Sequence, residues 1–409
     1  LINIVSFNGG RGARTLIPHI IQKPGVRLTS IVNAYDDGKS TGILRNFFGM
    51  LGPSDIRKVQ EIMVPPMDED YKAIIQLYEY RYPINMPKKD ILFSLSEFCY
   101  SESTTLVEAT FINKHRLHVL KNLVKKFLEG VDLIESSSDK IIDLNDCSVM
   151  NLLYAGAFLY CQGNFEEATL LIDKLFHIQG LVLPTNNENK VLVAIREDGT
   201  ALFSEAEIVE IRSNSRIKDI YLMDQYPDKK FIDSLPPHKV EQYFDLMKRN
   251  VNITDNVRRS IASADIIIYS AGTQHSSLYP SYITKGLSDT IALNANALKV
   301  FVTNIGEDYE TPSYTATDYI LGAYKYLLKG AKIVPPISSL IQVALVNNCF
   351  SNKNIENYVT YDETELSTIG CKIVVDNFED RNNFGKHDGN KLLDTILGLY
   401  YQKNYYNNN

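Results

Sequence analysis

Apolar residues fall along the chain in short unbroken runs separated by longer stretches of helical period. Residues 2–7, 28–32, 265–269 and 299–303 are dominated by aliphatic and β-branched side chains. They lack the alternating polarity of a half-exposed strand, so they read as strands buried on both faces of a parallel sheet. Helical periodicity fills the intervals up to Ile21, over 257–264, up to Ile291, over 317–328 and over 391–401. Residues 346–348 (Val-Asn-Asn) and the apolar 373–375 read as strand ends. Strands alternating with helices predict an α/β protein: a Rossmann-like, mostly parallel sheet with helices on both faces.

Three stretches depart from that alternation. Residues 61–146 are helical, rich in tyrosine and lysine and only mildly amphipathic, which predicts a helical insertion. His115 and His118 lie there at helical spacing with no carboxylate to complete a metal site, so they read as a solvated face. Residues 180–210 carry short strand patterns joined by Asp198-Gly199, predicting a small antiparallel unit. Residues 211–250 read as a charged, partly helical insertion. The expected organisation is one α/β domain over 1–403 with these insertions, followed by a disordered polar tail at 404–409.

Composition narrows the function classes. The 409 residues carry a net charge of −7, which argues against a nucleic-acid surface. Any phosphate must be held locally, by loops and a few cations. Five widely spaced cysteines (Cys99, Cys147, Cys161, Cys349, Cys371) without a Cys-x-x-Cys pair fit reduced thiols rather than a disulfide framework. With no secretory pattern and no apolar run of membrane-spanning length, the expected setting is cytoplasmic, with no membrane partner and a homodimer left open.

The candidate chemistry follows the strands. After the first comes Asn8-Gly9-Gly10-Arg11-Gly12-Ala13-Arg14-Thr15, strand to glycine loop to helix, where backbone amides can approach a phosphate. After the second comes Ala34-Tyr35-Asp36-Asp37-Gly38-Lys39-Ser40-Thr41-Gly42, whose paired carboxylates suit a hard cation and its phosphate, or form a polar turn capping a helix. Pro53-Ser54-Asp55-Ile56-Arg57 opens another helix, with Arg57 free to pair with a carboxylate or reach a phosphate. Ser270 to Tyr279, containing Thr273, His275, Ser276 and Ser277, is a candidate second phosphate cradle. Asn304 either reads a nucleobase edge or closes an Asx-turn.

Taken in order, Gly-Gly-x-Gly, Asp-Asp-Gly-x-Ser-x-Gly-x-x-Arg and Pro-x-Asp-Ile-Arg resemble the 2-phospho-L-lactate transferase superfamily. That superfamily includes the UDP-sugar-binding gluconeogenesis and cell-shape factors of bacteria. Asn151-Leu152-Leu153, Ser277-Leu278-Tyr279-Pro280-Ser281, Asn304, Glu310-Thr311 and His387-Asp388 continue the likeness over nearly the whole chain. The resemblance implies a core that binds a nucleoside diphosphate or another nucleotide-linked small molecule. In the transferase branch Asp36 and Asp37 match carboxylates that serve Mg²⁺ and the acceptor; in the sugar-binding branch no chemistry is required. It further implies ligand contacts from Gly9, Gly10, Arg11, Gly12, Thr15, Gly38, Ser40, Arg45, Asp55, Arg57, Asn151, Thr273, His275, Ser276, Ser277 and Asn304. Arg11, Arg14, Lys39, Ser54 and Gln274-His275-Ser276 depart from the family pattern, and Arg11 and His275 could donate to phosphates in place of glycine amides. The intact acidic pair leads to the expectation of a Mg²⁺-dependent transferase moving a phosphate-linked group to a hydroxyl acceptor, with a non-catalytic UDP-sugar-binding factor as the alternative.

Overall fold

The computed structural model describes residues 1–10, 12–107, 111–348 and 358–407. In chain order the strands are β1 (Ile2–Asn8), β2 (Val26–Val32), β3 (Leu181–Pro184), β4 (Val191–Arg196), β5 (Ala201–Leu202), β6 (Ile217–Met223), β7 (Ile266–Tyr269), β8 (Leu298–Val302), β9 (Val343–Asn347), β10 (Lys372–Asp376), β11 (Glu379–Asp380) and β12 (Asn383–His387). Seven of them form one parallel sheet in the order β10-β9-β8-β7-β1-β2-β3. The chain steps outward from β1 through β2 to β3, then returns to β7 and steps outward the other way. Right-handed crossovers running in opposite directions put helices on both faces, and the reversal opens a crevice between β1 and β7 at their carboxyl ends.

The sheet is buried because its strands are apolar on both faces. Ile266, Ile267, Ile268 and Tyr269 of β7 are all buried, as are the last five residues of β1. Polar groups enter this core only where they satisfy one another. Asn8 Nδ2 donates to Ser30 Oγ at 2.8 Å, and Ser270 Oγ donates to Asn8 Oδ1 at 2.8 Å. This buried network ties the carboxyl ends of β1, β2 and β7 together beneath the crevice.

The helical insertion holds the helices Tyr71–Glu79, Lys88–Tyr100 and Lys114–Ser137. Buried Arg116 ties the insertion together through Asp70 at 2.8 Å and Asp68 at 2.5 Å, and anchors it to the rest of the chain through the Leu175 carbonyl at 2.8 Å. The last of these helices packs on Val149–Tyr160 at Gly156, where a Cβ would lie 2.0 Å from the Leu123 carbonyl oxygen. His115 and His118 are exposed, as expected of a solvated face.

Two boundaries differ from the sequence reading. Residues Leu181–Pro184 are the edge strand of the main sheet, paired in parallel with β2, and not part of the antiparallel unit. That unit is β5-β4-β6, so it takes a strand from the stretch read as a charged insertion. Its sheet is apolar on both faces. Leu192, Ala194, Ile220 and Leu222 join the main core. Val193, Ile195, Tyr221 and Met223 pack with Ile232, Val240 and Phe244 in a second core. Lysines and aspartates on the covering helices Lys229–Asp233 and Pro237–Met247 hid this pattern. The closing helix Gly389–Asn407 extends through 404–407, the start of the expected tail.

Candidate functional site

A cleft of about 1080 Å³ lies at the reversal, over the carboxyl ends of the central strands. One wall is the loop after β1: Gly9, Gly10 and Gly12 lead into the helix Ala13–Gln22, and Thr15 also faces the cleft. No side chain caps this helix, so apart from the Ala13 amide, which donates to the Gly9 carbonyl at 3.3 Å, its first-turn amides are available to an anion. Gly12 brings the β1 and β7 loops together; a Cβ there would lie 2.4 Å from the Ala271 carbonyl oxygen. Asp36 and Gly38, from the loop after β2, together with Asp55 and Lys58 form the second wall. Thr273, Ser276, Ser277 and Asn304 enter from the loops after β7 and β8, and the β11–β12 hairpin supplies the rim.

The lining is strongly acidic. Among the described residues nine carboxylates face the cleft (Asp36, Asp55, Glu205, Glu210, Glu307, Asp308, Glu310, Asp380 and Asp388) against three Lys and Arg side chains. Burial, then the neighbouring Asp55, raises the Asp36 carboxyl above its ordinary range. Burial, followed by the charges of Asp36 and Asp55, pushes Glu205 up to about 9. Burial and then Asp308 push Glu310 up to about 8. These carboxyls share a poorly solvated space and resist ionising together, which makes the wall receptive to a cation.

The structure separates the candidate residues into those at the cleft and those behind it. Gly9, Gly10, Gly12, Thr15, Asp36, Gly38, Asp55, Thr273, Ser276, Ser277 and Asn304 are at the cleft. Arg11 lies outside the described residues. Asp37 accepts from the Ala206 amide at 3.1 Å and from the Tyr226 hydroxyl, so it fastens the small unit to the Asp-Asp-Gly loop instead of lining the cleft. Arg45 is buried and donates to the carbonyls of Tyr35, Asp36 and Lys190, which shapes the loop backbone from below. Asn151 donates to Ser40 Oγ at 3.1 Å and to Thr41 Oγ1 at 3.2 Å, holding the start of the helix Lys39–Phe48. Arg57 faces a neighbouring pocket.

The second phosphate cradle is largely filled from within. Residues Gln274–Leu278 form one π-helical turn, and the amides of His275 and Ser276 donate to Glu310 Oε2 at 2.8 and 3.0 Å. Ser276 Oγ bonds the other Glu310 oxygen. His275 is buried against Tyr279, Tyr314 and Tyr326, and burial lowers its pKa to about 3, so it is neutral and turned from any phosphate. Asn304 closes no Asx-turn: its side chain accepts from Gly272 N at 2.9 Å and donates to Gly272 O at 3.1 Å, pinning the β7 loop at the cleft.

Glu205, Glu310, Lys58 and Asp308 were not legible as site residues. Each stands in a polar stretch, Glu310 noted only within the Glu310-Thr311 pair, and only the tertiary fold brings them to one wall. No group of three His, Cys, Asp or Glu side chains that could hold a metal exists among the described residues. Asp36 and Asp55 nevertheless fit a hard cation whose remaining coordination comes from ligand phosphates and water, the usual manner of Mg²⁺.

Lys39, one of the departures from the family pattern, adopts φ +46, a left-handed conformation that favours glycine. Its ion pair with Asp146, at 3.5 Å and with the lysine side chain 77% exposed, repays little of that strain. Lys39→Gly is expected to stabilise the protein by about 0.5 kcal/mol, relief of strain exceeding glycine's entropic cost, and Lys39→Val to destabilise it. Denaturant midpoints in the reverse order would show that the turn is not strained.

Comparison with known proteins agrees with this architecture. The family model described as 2-phospho-L-lactate transferase CofD matches residues 4–379. The chain is 25% identical over 408 residues to the gluconeogenesis factor of Bacillus subtilis, covering 97% of both proteins. It is 24% identical over 412 residues to a putative gluconeogenesis factor of Aquifex aeolicus, covering 97% of this chain and 96% of that one. A crystal structure of a UPF0052-family protein from Bacillus halodurans superposes with a TM-score of 0.65 at 21% identity, over 97% of this chain and 99% of that chain.

Proposed function

The chain belongs to the 2-phospho-L-lactate transferase CofD family, and from that premise we propose that its cleft binds a nucleoside diphosphate linked to a small group, together with a divalent cation. The observation that carries this reading is the pairing of an uncapped helix N-terminus and its glycine loop with an acidic wall. Glu205 and Glu310 are neutral at pH 7, but a diphosphate still meets repulsion from the remaining acids of the wall unless a cation accompanies it. Asp36 and Asp55 are the residues that would hold Mg²⁺, which when bound would neutralise the diphosphate and stabilise charge on a departing phosphate. The glycine-loop amides and helix Ala13–Gln22 would orient the phosphates, and the β11–β12 rim would limit water.

We favour binding without group transfer. Asp37, expected to position an acceptor, is engaged by Ala206 and Tyr226, and the relatives named above are gluconeogenesis factors. One observation favours transfer as a second reading: Glu205, held protonated at neutral pH, is a proton carrier at the cleft wall.

Thermal-shift titration of UDP, GDP and UDP-N-acetylglucosamine, with and without Mg²⁺, tests the proposal. At a hundredfold excess over Kd the expected stabilisation is about 2.7 kcal/mol, appearing only when Mg²⁺ is present. No shift with any nucleotide, or a shift indifferent to Mg²⁺, sinks it. Chromatography of the incubated ligand then separates the readings, since an intact nucleotide sugar after prolonged incubation with hydroxyl acceptors excludes transfer.

A further inference from the structure

A second pocket of about 550 Å³ adjoins the cleft, and Arg14 and Lys58 line both. Its other cations are Arg57 and Arg81, against the carboxylates of Glu61 and Glu79. Three of the four cations are already matched: Arg14 to Glu61 at 3.2 Å, Lys58 to Asp55 at 3.0 Å and Arg81 to Asp146 at 2.8 Å. Arg57 has no carboxylate in ion-pair contact among the described residues. Its guanidinium makes one hydrogen bond, from a terminal nitrogen to the Tyr78 carbonyl at 3.0 Å. Its Nε is a buried donor with no hydrogen-bond partner.

Buried donors are normally paired, and a guanidinium is the group best shaped to grip a planar or tetrahedral oxyanion. We propose that this pocket is an anion subsite, seating a phosphate or carboxylate that the cleft's ligand carries beyond its diphosphate, with Arg57 as the central contact. The assignment of that anion to the cleft's ligand rests on the nucleotide reading above and on the two residues common to both cavities. Burial and then the charge of Arg81 depress the Arg57 pKa, a repulsion that an anion would relieve. The pocket exceeds the volume of one phosphoryl group, leaving room for the substituent that bears it.

Inorganic phosphate is the probe, titrated into the full chain without nucleotide or metal and followed by calorimetry and ³¹P line broadening. One saturable site in the millimolar range is expected, weakened at least tenfold in Arg57→Gln. Glu61→Gln, which removes a negative charge from the pocket, should tighten it about threefold, a gain that misfolding cannot mimic. Absence of saturable binding up to 50 mM (roughly the range in which weak single-anion sites fill), wild-type affinity in a folded Arg57→Gln, or no gain in Glu61→Gln would overturn the subsite. Because no nucleotide is present, a negative result leaves the nucleotide reading standing. Intact phosphate binding alongside failed nucleotide titrations would instead remove the ligand assignment.

Discussion

Glu310→Ala is expected to lower the stability of the protein by about 4 kcal/mol, whereas Glu310→Gln should leave it nearly unchanged at neutral pH. The carboxyl accepts from two buried amides, His275 and Ser276, and bonds the Ser276 hydroxyl. Alanine strands all three groups, each worth roughly 1–3 kcal/mol when left unsatisfied in the interior. Glutamine keeps an oxygen for both amides and offers its NH₂ to the hydroxyl. The pair of variants also tests the ionisation. Glu310 is raised from 4.5 to about 8, so the native state binds more protons than the unfolded chain between those values. Stability must then fall as pH rises from about 4.5 to 8 and level off above. Glu205, raised to about 9, extends the decline. The opposite contribution of Asp68, held near 2 mainly by its hydrogen bond to Arg116, is lost only as pH falls below its unfolded range. Urea denaturation at pH 5.5 and 8.5 should show the wild type losing roughly 2–4 kcal/mol over that span, with a visibly smaller loss in Glu310→Gln. Buried His275 and His387, lowered to about 3 and 4, work the other way between pH 5.5 and 6.5, so the decisive result is the comparison: an equal change in the wild type and in Glu310→Gln would refute the raised Glu310 carboxyl.

The outline of the fold was readable because parallel strands buried on both faces have a composition that no exposed segment shares. The residues of β1, β2, β7 and β8 therefore announced themselves. Strand β6 did not: Lys218 and Asp219 interrupt its apolar side chains, and its partner β4 lies about twenty residues upstream, so only pairing reveals it. The loops after β1 and β2 were likewise legible as ligand loops, since glycine and paired aspartates have local reasons to be there. Sequence could not say which polar groups the protein uses for itself. His275, Arg45 and Asn151 have the chemistry of ligand contacts, and tertiary packing assigns them to internal bonds or an aromatic cage. Glu310 is the converse case. An acid that entered the sequence reading only within the family-like Glu310-Thr311 pair, with no role attached, becomes the internal acceptor of the π-helical turn.

Asp36→Asn is expected to weaken Mg²⁺-dependent nucleotide binding at least a hundredfold while changing stability little, and adjacent Asp37→Asn to do the reverse. Asp36 lines the cleft beside Asp55 and accepts from the Gly38 amide at 2.9 Å, with Ser54 as a further hydrogen-bond partner, so its carboxylate stands where a cation can join it. Replacing its carboxylate removes one of the two anionic groups available to Mg²⁺, and it also relieves the repulsion that raises its own pKa and that of Glu205. Fold stability should therefore hold or rise slightly, because the native state gives up a crowded charge. Asp37, by contrast, joins the Asp-Asp-Gly loop to the Ala206 amide and the Tyr226 hydroxyl. Asparagine can keep the Ala206 amide through its oxygen and donate its NH₂ to the Tyr226 hydroxyl, but both bonds lose the carboxylate's charge and the hydroxyl must turn from donor to acceptor. That loss should cost about 2 kcal/mol and loosen the small unit from the loop. Tyr226→Phe should reproduce part of the loss, since it removes one of the two bonds. Calorimetric titration of the nucleotide with and without Mg²⁺, beside denaturant melts of the three variants, decides between the roles. Comparable loss of Mg²⁺-dependent binding in a stable Asp37→Asn would return Asp37 to the cation site, and would mean that the small unit lifts from the loop when ligand enters.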